Sequence, residues 1–90
     1  MANLKSSLKR IRQNEKRRLR NRSRRNRART LVKQARAQIE SGDFERAEQA
    51  TRAALRDLDK AASKGVIHRR NAARRKSRLM KRLNGLRAQA

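Results

Sequence analysis

Arginine is the residue through which this chain can do chemistry. From Lys16 to Arg29, nine of fourteen residues are basic: Lys16, Arg17, Arg18, Arg20, Arg22, Arg24, Arg25, Arg27 and Arg29. At about 100° per residue these side chains spread over about two-thirds of the circumference of a helix. A helix resting on one surface needs charge on one side only, so charge spread this widely fits a rod enclosed by phosphates on several sides, as between packed RNA helices. Arginine outnumbers lysine 21 to 8, which favours planar, bidentate phosphate contacts and stacking on exposed bases over diffuse attraction. Asn21, Ser23, Asn26 and Thr30, set among the arginines, can add hydrogen bonds to phosphate or 2′-hydroxyl groups.

Two further basic groups frame that run. Lys5, Ser6, Lys9 and Arg10 precede it, and Lys33 extends it. Lys64, His68, Arg69, Arg70, Asn71, Arg74, Arg75, Lys76, Ser77 and Arg78 form a second prong near the other end. All of these are candidate RNA-binding residues. Phe44 is the sole aromatic residue and is expected in the core, which argues against modules that read single strands on aromatic sheets. Recognition should rest on backbone and shape.

Other chemistries lack their residues. His68 is the only histidine and there is no cysteine, so no paired metal ligands, thiolate nucleophile, disulfide or histidine-based triad can be assembled. His68 is expected to hydrogen-bond at the start of a helix, to backbone or RNA. Glu45, Glu48, Asp57 and Asp59 lie on an alanine-rich amphipathic stretch and read as a solvated or salt-bridging face rather than an acid–base pair. We therefore expect no enzyme, no cofactor, no metal, no small-molecule substrate and no homo-oligomer. Apolar runs reach only two or three residues, too short for a membrane span or a secretory signal core. The basic character continues past residue 30 and returns at the far end, unlike a transit peptide.

The elements that must position these residues follow from composition and punctuation. Ninety residues with 34% hydrophobic and 40% charged side chains allow one domain with a small core and little stability in isolation. The net charge of +22 demands counter-ions or a polyanion, and nucleic acid is the default. The charge is unevenly placed: residues 1–39 carry 15 basic and 1 acidic side chain, 40–59 carry 3 and 6, and 60–90 carry 11 and 0. There is no proline, and Gly42, Gly65 and Gly85 are the only strong breaks.

Apolar residues step by three and four in Ala28, Leu31, Val32, Ala35 and Ile39, and again in Phe44, Ala47, Ala50, Ala54, Leu58 and Ala61. Ile67, Ala72, Leu79, Leu83 and Leu86 continue the pattern more loosely. One stripe per helix predicts an all-α, three-helix bundle in a single domain, with helices at about 6–40, 44–63 and 68–84. Gly42 and Asp43 should end one helix and cap the next, and Gly65 with Val66 folding back on Ala61 should end the second. Between Arg12 and Arg27 the only bulky apolar residue is Leu19. The first half of a basic N-terminal helix of roughly 50 Å should thus project from the body.

In order along the chain, several stretches resemble the bacterial small-subunit ribosomal protein twenty family. They are Met1 to Ser6, the Gln13 to Arg20 run, Asn21-Arg22-Ser23-Arg24-Arg25, Arg29-Thr30 with Lys33, Gly42-Asp43, Lys64-Gly65-Val66-Ile67-His68, and Ala72-Ala73-Arg74-Arg75-Lys76-Ser77-Arg78-Leu79. The glycine–hydrophobic–isoleucine–histidine step followed at this spacing by Ala-Ala-Arg is the most specific part. The resemblance implies a three-helix bundle that binds 16S ribosomal RNA directly and early in assembly, through both terminal regions. It also implies a cytoplasmic, ribosome-bound protein with other small-subunit components nearby. Family members usually carry an asparagine two residues after the histidine; here Arg70 has that place and Asn71 carries the amide.

Two rival readings rest on the same charge. A basic region running into Leu31 and Val32 suggests a zipper-type DNA-binding or nucleoid-compacting protein, but Ser41-Gly42-Asp43 interrupts the heptad pattern after Ile39. A polyanion-responsive regulator or membrane-surface peptide rests on charge alone, and the latter would need bulky apolar residues opposite the charge, which the most basic stretch lacks.

Overall fold

A computed structural model describes residues 2–89 as three α-helices in sequence, α1 Ala2–Ser41, α2 Phe44–Ser63 and α3 Arg69–Gln89. Each break is built by local chemistry. Gly42 takes φ +84° and its N–H donates to the Ile39 carbonyl at 3.2 Å, while the Ser41 hydroxyl donates to the Gln38 carbonyl at 2.6 Å. Two carbonyls that α1 leaves unpaired at its end are thus satisfied. Asp43 then caps α2, its carboxylate accepting from the Arg46 N–H at 3.3 Å.

At the second break Gly65 takes φ +72°, its N–H donates to the Ala62 carbonyl at 3.0 Å, and the Val66 N–H donates to the Ala61 carbonyl at 2.9 Å. These are the paired bonds of a Schellman motif, with Val66 folded back as the spacing suggests. Gly85 behaves differently. It lies inside α3, which runs on to Gln89 instead of stopping near residue 84. The buried stripe of Leu79 and Leu83 continues through the half-buried Leu86, so packing carries the helix through a residue of poor helix propensity.

The core is made of Ala28, Val32 and Ala35 from α1, Ala47, Thr51, Ala54, Leu58 and Ala61 from α2, and Ala72, Leu79 and Leu83 from α3. Six of these are alanines, which let the helix axes approach closely but bury little area each. Phe44, expected in the core, is only half-buried; the Arg87 guanidinium lies over its ring, 5.3 Å from the centroid. That cation–π contact ties the last turn of α3 to the first turn of α2.

Among the described side chains of α1, the first buried one is Ala28. Before it the helix leaves the bundle as a rod, which gives the molecule extents of 68 × 21 × 13 Å. Leu4, Leu8, Ile11 and Leu19 are exposed on this rod. At about 100° per residue they share one sector of roughly 80°, an apolar seam that runs from Leu4 into the basic run at Leu19. Within the bundle, α2 packs extensively on α1 and well on α3, whereas α1 and α3 touch each other least. The bundle is therefore held together through α2 and opens on the side where α1 and α3 face one another.

Candidate nucleic-acid interface

The apolar stripe of α1 is flanked by cations on both sides, because residues next to a helical stripe in sequence fall just beside it in space. On the α2 side, Arg24 and Arg27 meet Lys60 and Lys64 in a cleft around Asp57. Asp57 is mostly buried, and the Arg27 guanidinium reaches it at 3.3 Å. On the α3 side, Arg29, Lys33 and Arg36 face Arg75 and Arg78 across Val32. A neighbouring cleft holds Arg25 and Arg29 against Val66, Ile67, His68, Asn71 and Arg75.

The residues of the second prong are arranged by the start of α3. His68 is its N-cap: the imidazole Nδ1 accepts from the Arg70 N–H at 3.1 Å, and the His68 carbonyl accepts from Asn71 and Ala72 at 2.9 and 3.1 Å. This is a backbone contact of the kind expected for a histidine at a helix start. Asn71 sits one turn on, and its Oδ1 accepts from Arg75 Nε at 3.1 Å. The displaced amide thus orients an arginine.

The sequence-derived candidates do not converge on one site. Lys5, Ser6, Lys9, Arg10, Lys16, Arg17, Arg18, Arg20, Arg22 and Ser23 are exposed along the projecting rod, with Asn21 half-buried. Arg24, Arg27 and Lys64 belong to the α2-side cleft, and Arg25, Arg29, Lys33, His68, Asn71, Arg75 and Arg78 to the α3-side clefts. Arg69, Arg70, Arg74 and Ser77 are exposed on α3. Besides Arg27, which pairs with Asp57, two candidates are engaged elsewhere. The Thr30 hydroxyl donates to the Asn26 carbonyl of its own helix at 2.8 Å, and Lys76 Nζ pairs with Asp59 at 2.8 Å.

Sequence reasoning missed Arg36 and Lys60, which line the clefts. Arg36 lies three residues after Lys33 and seven after Arg29, so the helical step that placed its neighbours could have found it. The acidic helix divides its charge between neighbours and itself: Asp57 and Asp59 pair with Arg27 and Lys76, while Glu48 pairs with Arg52 at 2.6 Å and Asp43 with Arg46 at 3.5 Å. Among the described residues no group of three or more His, Cys, Asp or Glu could hold a metal ion. Nor, among the described residues, is any helix long and apolar enough to cross a membrane.

Comparison with known proteins gives this geometry a family. Residues 2–84 match the family described as ribosomal protein S20. The small ribosomal subunit protein bS20 of Halalkalibacterium halodurans is 52% identical over 87 residues, covering 97% of this chain and 96% of that protein. Its namesake in Thermomicrobium roseum is 55% identical over 86 residues, 96% of this chain and 87% of the relative. That of Cutibacterium acnes is 52% identical over 88 residues, 98% and 100% of the two chains. With similarity of this strength over nearly the whole length, and with the glycine-capped turns and basic rod in place, the chain belongs to the ribosomal protein S20 family.

Proposed function

We propose that this protein is a structural constituent of the small ribosomal subunit that binds 16S ribosomal RNA directly and stabilises its fold during assembly. The observation that carries the reading is the rod of α1. Its described side chains are exposed from Leu4 to Arg20, yet from Lys16 to Arg29 it presents cations over about two-thirds of its circumference. Such a helix gains little from its own chain, and phosphates on several sides supply what is missing. The second prong, at the start of α3, gives a separate grip joined to the rod through the small core. The work is architectural and electrostatic, not catalytic, and it is done by the protein as a monomer, ribosome-bound in the cytoplasm.

The DNA-binding alternative is disfavoured by the packing. A zipper would leave Val32 and Ala35 for a second copy, but both are buried within the chain against α2 and α3.

Nuclease footprinting of 16S ribosomal RNA with the full chain alone tests the reading. Protection of a defined set of helices, with log K falling against log[salt] at a slope of about −7 to −9 for roughly ten phosphate contacts, is the expected result. A slope shallower than about −3, protection at no defined place, or equal displacement by duplex DNA would overturn it.

A further inference from the structure

We infer that the groove between α1 and α3 is a track for a single RNA strand, holding two or three successive phosphates between Arg25, Arg29, Lys33 and Arg36 on one wall and Arg75 and Arg78 on the other. The inference rests on the RNA-binding reading above and adds to it the place, the strandedness and the residues.

Four features lead to it. First, the two clefts on this side share Arg29 and Arg75, so they form one continuous groove. Second, the wall residues of α1 follow one another at four, four and three positions, or roughly 6, 6 and 4.5 Å along the helix. That is close to the separation of successive phosphates on one strand. Third, none of these six cations forms an ion pair with a carboxylate among the described residues; the pairs that do form engage Arg27, Arg46, Arg52 and Lys76.

Fourth, α1 and α3 make the slightest of the three helix interfaces. Two walls of like charge repel, and the fold sets them side by side only because both are fastened to α2. A polyanion between the walls removes that repulsion. The Asn71 amide, bonded to Arg75 Nε, holds that guanidinium in position at the middle of the groove. The floor is apolar at Val32 and Ala28, so the strand is recognised by its backbone and not by its bases.

The test compares two full-length variants that lose the same charge, R29Q/R36Q/R78Q in the groove and R46Q/R52Q/R56Q on α2. Binding to 16S ribosomal RNA is followed across a salt series, with phosphate ethylation interference on the same RNA. The groove variant should bind about 50-fold or more weakly and lose about 2 to 3 from the salt slope, whereas the α2 variant should stay within about threefold of the parent.

In the parent complex, two or three adjacent phosphates on one strand should interfere, and these should fall silent in the groove variant. A charge-keeping variant, R29K/R36K/R78K, should retain the slope and lose only about a few-fold in affinity. Should the glutamine variant unfold, the interference pattern of the parent still decides. Equal weakening by the groove and α2 variants, or interference on two facing strands, would overturn the track while leaving RNA binding intact. Failure of the parent to bind at all would instead overturn the functional reading, and the track with it.

Discussion

Thr51 lies wholly inside the bundle, and its hydroxyl has no hydrogen-bond partner among the described residues. A threonine in mid-helix commonly bonds back to the carbonyl four residues earlier, but this one does not. An unmatched buried hydroxyl costs about 1–3 kcal/mol, and valine offers similar volume without it. Thr51→Val should therefore stabilise the free protein by about 1 kcal/mol, raising the melting temperature by about 4–8 °C for a chain of this size. A lower melting temperature by circular dichroism would show that the hydroxyl is matched in solution. The position also shows how residue types mislead. The sequence-derived stripe of α2 counted Phe44 and Ala50 because they are apolar and passed over Thr51 because it is polar. The buried line is in fact Ala47, Thr51, Ala54, Leu58 and Ala61, with Phe44 and Ala50 on its edges, and the regular step of four and three was already visible there.

At the scale of elements, glycine meant two different things. Gly42 and Gly65 adopt the left-handed conformation at helix ends, whereas Gly85 is helical with open space where a Cβ would be. Gly85→Ala should then add up to about 1 kcal/mol of stability by restoring helix propensity. Gly65→Ala should remove about 1–2 kcal/mol, since a Cβ is strained at positive φ however much space surrounds it. Chemical denaturation of the two variants checks both signs, and a destabilised Gly85→Ala would mean that α3 ends there in solution. The two turns were legible because glycine stood beside further signals, Asp43 after one and Val66 after the other. Gly85 had no such companion, and the leucine stripe ran past it. The projecting arm was legible from the lack of apolar residues. The α1–α3 groove was not, because each wall reads as an ordinary basic face until the packing of both helices on α2 sets Arg29 beside Arg75.

For the whole molecule the governing fact is +22 on a body only 21 × 13 Å in its two shorter extents. At about 0.01 M salt the Debye length is roughly 30 Å, so nearly all these charges feel one another, whereas at about 0.1 M it is near 10 Å and only neighbours do. The ion pairs Arg27–Asp57 and Lys76–Asp59 oppose the repulsion. However, at least one side chain of each is well exposed, and such pairs are worth about 0–1 kcal/mol at most. Repulsion should win, and the isolated arm should feel it most, since Lys5–Lys9, Arg12–Lys16, Arg18–Arg22 and Arg20–Arg24 set like charges four residues apart, each a small cost to the helix. Salt should therefore act with opposite sign on the two properties that matter. Raising it should increase the helicity and melting temperature of the free protein while it weakens RNA binding. Melting curves and ellipticity at 222 nm, measured without RNA between about 0.01 and 0.3 M salt, decide the matter. A melting temperature that fell with salt would mean that the acidic helix, through its ion pairs, holds the bundle more strongly than the basic surface strains it. The RNA would then find a body already stable instead of one that it completes.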